Sequence, residues 1–465
     1  MNLKAYARTL HNKPVAVFGI GRSNLAVIKA LVAAGVPVVV GDDHADNMVQ
    51  ALAAGAQAGL MESDFTQYAA LVLAPGVPLH FPTPHEVVQK ARAAGIEIIC
   101  DVEILSRLRH GRQTAAITGT NGKSTTTALL GHVLKTCHID VAVGGNIGHA
   151  VLDLDMPAQD GAFVIEMSSY QIDLCPTFAP DIAVHLNLTP DHIDRHGDME
   201  GYYQAKKNLF RGPGAAIIGV DDDFSARMHA EVQAAGTRSV FAVSVQKPVQ
   251  QGVYVQEGVL YDAMFGAAED GAEDGAQKVA DLNMPALPGL HNQQNAAAVY
   301  AAARMMGLPA GKIIHAMHSF PGLAHRQYRL RTINDIAYVN DSKATNADAT
   351  AKALACYHNI FWIVGGKPKE GGLEGLQPYL DRIAVAFTIG EAAAEFTAWL
   401  YERKVHVTRC DTLDQAVAAA HQAAQNANKN AGHGVVLLSP ACASFDQFRD
   451  FEQRGDKFAD LVNEL

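Results

Sequence analysis

One segment constrains this chain more than any other: the glycine-rich run Ile117-Thr-Gly-Thr-Asn-Gly-Lys-Ser-Thr125, which leaves an apolar strand at Thr114 to Thr118 and enters a helix at Thr125 to Lys135. A strand that turns through glycines into a helix is the first half of a crossover unit, and such units build parallel sheets covered by helices. The turn is also a phosphate cradle. Backbone NH groups at a helix N-terminus point at an anion, Lys123 can reach the terminal phosphates, and the Ser124 hydroxyl can ligate magnesium. Gly119, Thr120, Asn121, Gly122 and Thr125 complete the cradle. The usual loop begins with a glycine five positions before Gly122, where this chain has Ile117, so the motif is a variant.

The same alternation of short Val- and Ile-rich runs with Ala-rich helical stretches continues from end to end, and the class is α/β. At roughly 150 residues per domain, the 465 residues suggest three domains. The first unit runs from a strand at Val15 to Phe18 through Gly19 and Gly21 into a helix near Leu25 to Ala34, then returns through Val36 to Val40. A second series starts at Thr114. A third begins near Ile336 to Asn340 and closes with the strand Val435 to Leu438 and a charged helix. The expected division is 1–102 and 103–322, with 323–465 as the third domain. The outer two are Rossmann-like, and the central one is a phosphate-loop ATPase with a mainly parallel sheet. The acidic, low-complexity segment 266–276 reads as a solvated loop between short strands.

Net charge is −11, which argues against nucleic acid and anionic membrane as partners. Six dispersed cysteines without a C-x-x-C pair fit neither a disulfide framework nor a structural zinc site. No run approaches the ~20 apolar residues of a membrane span, and the N-terminus lacks the apolar stretch of a signal peptide. The expectation is a soluble protein of the cytoplasm.

A nucleotide site needs a carboxylate for magnesium, and the strand Ala162 to Ile165 delivers Glu166 at its C-terminal end, where open sheets place ligands. Alone, a glutamate ending a strand is more often solvated or a helix cap; the phosphate loop upstream reverses that reading. The strand Ile182 to Leu188 runs into the polar cluster Asn187-Leu-Thr-Pro-Asp-His-Ile-Asp-Arg-His196, where His192 and His196 lack a zinc spacing. Lys206 and Lys207, by spacing alone, are a charged outer helix face. In the first unit Gly19-Ile-Gly-Arg-Ser-Asn24 lacks the third glycine of a dinucleotide fingerprint, which weakens a nicotinamide reading.

Taken together these segments resemble the Mur ligase family, ATP-dependent enzymes that extend the peptide stem of cell-wall precursors, and the likeness covers nearly the whole chain. The loop Gly-Thr-Asn-Gly-Lys-Ser matches the family's own variant. Gly144-Gly-Asn-Ile-Gly148, Glu166-Met-Ser-Ser-Tyr-Gln171, Asp191-His-Ile-Asp-Arg195 and Tyr202-Tyr-Gln-Ala-Lys206 follow in the family order. The resemblance implies two magnesium ions held through Ser124, Glu166, His192 and Lys206, the last as a carbamate. It places Asn146, Ser168 and Gln171 near metal or precursor, and Asn295, in His291-Asn-Gln-Gln-Asn295, beside the adenine. Arg326, in Gly322-Leu-Ala-His-Arg326, would reach the phosphates, and Asp341 the ribose.

Asp341-Ser-Lys-Ala-Thr-Asn346 and the closing segment Ser439 to Gly455 resemble the D-glutamate-adding branch of the family, while the Asp-Asn-Pro-Arg run of the diamino-acid-adding branch is missing. By that likeness Thr345, Lys369, Ser444 and Phe451 hold D-glutamate, with Lys367 an alternative to Lys369. Two carboxylates call for a lysine, hydroxyls and NH groups, while an aromatic ring shapes the short stem. The family's first domain holds the uridine diphosphate of the precursor, which implies Ser23, Asn24, Asp43 and the Ala74-Pro-Gly76 turn, with Pro75 and Gly76, as contacts.

The implied reaction joins UDP-N-acetylmuramoyl-L-alanine to D-glutamate through an acyl phosphate and a tetrahedral intermediate, at the expense of ATP. Lys123, Glu166, His192, Lys206 and Arg326 are the implied catalytic residues, on a monomer whose third domain closes onto the second. A folylpolyglutamate-synthase-like ligase would share loop and metals, but the C-terminal segment argues against it. A nicotinamide oxidoreductase and a nucleotide-binding module without chemistry are the remaining alternatives; the deficient glycine pattern disfavours the first, and Glu166, the Asp191-His-Ile-Asp cluster and Arg326 accompanying the loop disfavour the second.

Overall fold

A computed structural model describes residues 3–109, 111–265, 276–431 and 433–465. Residues 266–275 of the acidic segment lie outside the described residues. Among the described residues there are three sheets, and the chain divides into two compact units, Met1–Leu282 with Gln293–Ser319, and Asn283–Asn292 with Phe320–Leu465.

The first unit holds two sheets. One comprises β1 (Val15–Phe18), β2 (Val38–Gly41), β3 (Ala70–Leu73) and β4 (Glu97–Ile99), ordered β2-β1-β3-β4 and parallel throughout. The other comprises β5 (Gln113–Thr118), β6 (Val141–Gly145), β7 (Ala162–Glu166), β8 (Ile182–His185), β9 (Gly214–Gly219), β10 (Arg238–Ser244), β11 (Gly252–Gln256), β12 (Val259–Asp262) and β13 (Gln277–Asp281). Its order is β13-β12-β11-β10-β9-β8-β5-β7-β6; only the β11–β12 and β12–β13 pairs are antiparallel. Strands β1, β3, β7 and β8 are buried along their whole length, as expected where helices cover both faces of a parallel sheet.

One core runs through both sheets of this unit. At the junction the Glu103 carboxylate, on the helix Asp101–Leu108, accepts from the backbone NH of Thr177 and Phe178, and the Cys100 NH donates to Leu174 O at 3.0 Å.

The second unit holds β14 (Tyr328–Ile333), β15 (Ile336–Asn340), β16 (Ile360–Gly365), β17 (Ile383–Ile389), β18 (Val407–Asp411) and β19 (Gly434–Leu438), ordered β14-β15-β19-β16-β17-β18. All but the β14–β15 pair are parallel. Separate apolar clusters around Trp362 and Phe361 cover its two faces, because adjacent residues of a strand point to opposite sides.

Element ends differ from the sequence expectation where a loop takes over the backbone bonds. Strand β8 stops at His185, short of Leu188, because Leu186 NH makes one more bond to Thr118 O and the Asn187 side chain then turns into the phosphate loop. The helix after that loop begins at Lys123, ahead of Thr125, and the helix after β1 begins at Arg22, ahead of Leu25. Among the described residues no helix is long and apolar enough to cross a membrane.

Candidate active site

The phosphate loop crosses from the end of β5 to the helix Lys123–Thr136. Gly122 caps that helix at φ 86°, a left-handed conformation that costs a side-chain residue strain, and a Cβ there would collide with Asn295 Oδ1. Asn295, on the helix Leu290–Met305, thus packs directly against the loop. Asn187 clamps the loop from the other side: its Oδ1 accepts from Asn121 NH at 2.9 Å and its Nδ2 donates to Asn121 O at 3.2 Å. Lys123 Nζ donates to Gly119 O at 2.9 Å and Thr120 O at 2.7 Å, across the loop's mouth. Ser124 and Thr125 are buried at the helix start.

Glu166 ends β7 only 2% exposed. Its Oε1 accepts from Asn146 Nδ2 at 2.8 Å, while Oε2 is buried with no protein partner. A carboxylate oxygen in that position is costly unless something positive meets it, which fits a cation ligand. Lys206 lies on the helix Met199–Lys207 with its side chain turned inward, 1% exposed. Its Nζ donates to Thr118 Oγ1 at 3.2 Å and Gly119 O at 2.9 Å and sits 4.8 Å from the Tyr202 ring centre. Burial, and then the neighbouring charge of Lys123, hold its amine well below the usual lysine range. A neutral amine can add carbon dioxide, so the lysine also fits the carbamate that a second cation would need.

His192, at φ 55°, starts the short helix Ile193–His196, and its ring packs 5.0 Å from that of Tyr170. Burial lowers its pKa, against the pull of Asp191. His185 behind it is fully buried and pushed down to about 3, first by burial and then by Lys206 and Lys123. Among the described residues no three His, Cys, Asp or Glu side chains gather as a metal cage; the groups expected at metal are instead a hydroxyl, a carboxylate, an imidazole and a lysine.

These groups open on a cavity of about 380 Å³ lined by Lys123, Asn146, Ser168, Gln171, His192 and Lys206, with Ser23, Pro75 and Gly76 reaching it from the first sheet. Ser168 and Gln171 also cap the helix Ser169–Asp173 reciprocally. Gly19, at φ 80°, lets the first glycine turn pass against Ala74, since a Cβ there would lie 2.7 Å from the Ala74 Cβ.

Two residues expected as contacts of the UDP-precursor are not among those lining this cavity. Asn24 is 1% exposed and donates to Phe18 O and Gly19 O, bracing the turn from beneath. Asp43 is exposed and pairs with His85 at 3.2 Å, whereas Asp42 closes the turn by accepting from Ile20 NH at 2.5 Å. Asn187, Tyr170, Tyr202 and Arg195 went unassigned in the sequence. Tyr202 could have been found from its spacing, four residues before Lys206 on the same helix face.

In the second unit Asp341 is buried at the end of β15, accepting from Gln327 NH at 3.1 Å and Ser439 Oγ at 2.8 Å. Burial pushes its carboxyl up to about 7, against these hydrogen bonds and the charge of Arg326. Ser444 is 2% exposed beside Ala443, whose backbone pairs with Lys367. Lys367 and Lys369 are both exposed. The Phe451 ring starts the helix Phe451–Asn463 with Lys343 Nζ 3.6 Å from its centre, a lysine the sequence reading did not assign. Arg454, 1% exposed, ties this helix to both neighbouring loops by donating to Ser342 Oγ, Ser342 O and Cys442 O. Thr345 follows in the 341–346 loop, its NH donating to Lys343 O.

Residues 117–303 match the family model described as the Mur ligase middle domain. The chain is 49% identical to the UDP-N-acetylmuramoylalanine–D-glutamate ligase of Nitrobacter winogradskyi over 97% of both chains. It is 46% identical to the ligase of the same name from Caulobacter sp. (strain K31), over 98% of this chain and 97% of that one. The fold is similar to the UDP-N-acetylmuramate-alanine ligase MurC of Thermotoga maritima, with a TM-score of 0.58 at 17% identity and coverage of 97% and 99%. It is likewise similar to MurF from Acinetobacter baumannii, with a TM-score of 0.57 at 18% identity, covering 92% of this chain and 91% of that one.

Proposed function

The chain belongs to the Mur ligase family, and from that premise we propose that it joins D-glutamate to UDP-N-acetylmuramoyl-L-alanine with cleavage of ATP. The observation that carries the reading is the meeting, on one cavity, of the phosphate-loop lysine, the helix-borne Lys206 and His192, with Glu166 behind them holding one unpartnered carboxylate oxygen. A precursor carboxylate and a γ-phosphate brought together there would be met by the Lys123 ammonium and the loop NH groups, with the other groups placed to hold cations. The names of the relatives supply the amino acid and the precursor. The reaction belongs to the making of cell-wall precursors, and we place the protein in the cytoplasm as a monomer. We assign precursor binding to residues 1–102, ATP to 103–322 and D-glutamate to 323–465.

The precursor carboxylate oxygen bonds to the γ-phosphorus as the bond to the β-phosphate oxygen breaks, giving an acyl phosphate and ADP. The D-glutamate amine then attacks the carbonyl carbon, and the tetrahedral intermediate expels phosphate as the amine loses its proton to solvent. The protein's share is alignment and charge stabilisation. Lys123 and the NH groups of the loop hold the phosphates, Asn295 borders the adenine, and Arg326 and Asp341 meet the nucleotide from the third domain. Ser124, Glu166, His192 and carbamylated Lys206 would hold two magnesium ions, which when bound neutralise phosphate charge. Ser23, Pro75, Gly76, Asn146, Ser168 and Gln171 border the precursor. Thr345, Ser444, Phe451 and Lys369, or Lys367 in its place, hold D-glutamate.

Phosphate release with ATP, magnesium and the precursor tests the assignment. It should depend on D-glutamate and fail with L-glutamate, L-lysine or diaminopimelate; release with one of those instead would overturn the amino-acid assignment, and silence throughout would overturn the ligase. Ser444→Ala removes a buried hydroxyl that this reading assigns to a charged ligand, a bond worth roughly 1.5–3 kcal/mol. The KM for D-glutamate should therefore rise about tenfold or more while that for ATP holds, as steady-state titration of each substrate will show.

A further inference from the structure

We infer that Arg195 is a positioning residue for the UDP-precursor: it ties the Pro75–Val77 turn to the Tyr170 ring, two parts of the cavity wall that come from distant stretches of chain, and so sets precursor affinity without touching the reacting atoms. Arg195 Nη2 donates to Pro75 O at 3.1 Å and also to Val77 O, across 120 residues of sequence. The same guanidinium lies 5.1 Å from the centre of the Tyr170 ring. Pro75, Gly76 and Tyr170 all line the cavity, while Arg195 stands just outside it, beside a small neighbouring void.

An arginine is suited to this place. Its planar group can give two carbonyls a donor while one face covers an aromatic ring; an ammonium is a point donor and cannot do both. Among the described residues no other side chain donates to the carbonyls of this turn. Within it Val77 NH donates to Ala74 O, and the arginine joins it to the second sheet's loops. Among the described residues Arg195 has no carboxylate within ion-pair distance. The nearby charges that partly offset its burial are Tyr170, Asp173 and Asp194. Its Nη2 donors are spent on the turn, and a wall held in place before the ligand arrives binds it more tightly.

The inference rests on the ligase reading, and wild-type protein assayed alongside separates the two. Phosphate release and calorimetric binding of UDP-N-acetylmuramoyl-L-alanine are measured for wild type and Arg195→Ala. The variant should raise the precursor KM and Kd about tenfold or more, leave the ATP and D-glutamate KM within about twofold, and change kcat by no more than about threefold. Guanidinium ion added at millimolar concentration should restore part of the precursor affinity. A rise shared equally by all three substrates, or none for the precursor, overturns the inference. Should the alanine variant not fold, Arg195→Met keeps an apolar stem in place, removes the guanidinium, and is judged by the same outcomes. Wild-type protein that neither turns over nor binds the precursor overturns the ligase reading, and this inference with it.

Discussion

Lys123→Ala should lower turnover by about two to three orders of magnitude while leaving the melting temperature close to that of the parent. The ammonium is the one side-chain charge carried by the phosphate loop, and its loss removes charge stabilisation of roughly 3 kcal/mol or more from the phosphoryl transfer. Folding should survive the loss of the lysine's hydrogen bonds to Gly119 O and Thr120 O, because Gly119 O keeps a second donor in Lys206 Nζ. The loop itself is held by other means: Asn187 clamps Asn121, and Gly122 packs on Asn295. Phosphate release by the purified variant, beside a thermal melt, is the measurement. Normal ligation would end the assignment of this loop to ATP. There is a second consequence, since Lys123 is the largest charge acting on Lys206 after burial. Without it the Lys206 amine should become more basic and less ready to take up carbon dioxide.

Lys206→Ala should be slowed by about two orders of magnitude and partly rescued by formate or acetate. The reason is the chemical form of the missing group. As an ammonium, Lys206 would sit 1% exposed beside another cation and with no carboxylate in hydrogen-bond contact, a costly state. As a carbamate, formed when the neutral amine adds carbon dioxide and gives up a proton, it becomes an anion that can hold a metal. A small carboxylate can then stand in for it. Rescue by methylamine and not by formate would mean that the ammonium is the working group, and would remove the second metal from the mechanism. Lys206→Arg, which keeps the charge but cannot be carbamylated, should be as poor as alanine and resist rescue.

How far the site could be read from the sequence follows the distance over which each feature is determined. The phosphate loop was legible because a strand, two glycines, a lysine and a helix lie within some twenty residues, and the backbone geometry of such a unit is set locally. Glu166 was legible from its place at a strand end. Lys206 was legible only through the family likeness: its spacing equally describes a solvated helix face, and the packing of that helix over the end of β5 turns the amine onto Thr118 and Gly119. Asn24 went the other way. It stands in the glycine turn where a ligand contact was expected, yet the helix Arg22–Ala33 directs its amide under the turn, onto Phe18 O and Gly19 O. Asp43 and Asp42 are neighbours in sequence, and only the fold shows that Asp42 is the one that closes on Ile20.

By itself, then, the sequence determined the α/β class, the parallel order within each crossover unit and the position of the phosphate loop, since periodicity and turn chemistry act over a few residues. The tertiary structure decided which distant groups share a cavity and what ionisation state burial favours for them. Arg195 reaches Pro75 across 120 residues and Asn187 reaches Asn121 across 66. Desolvation depends on every atom packed around a group, whichever part of the chain supplies it, so the lowered pKa of Lys206 and the Asp341 carboxyl raised to about 7 exist only once the chain has folded.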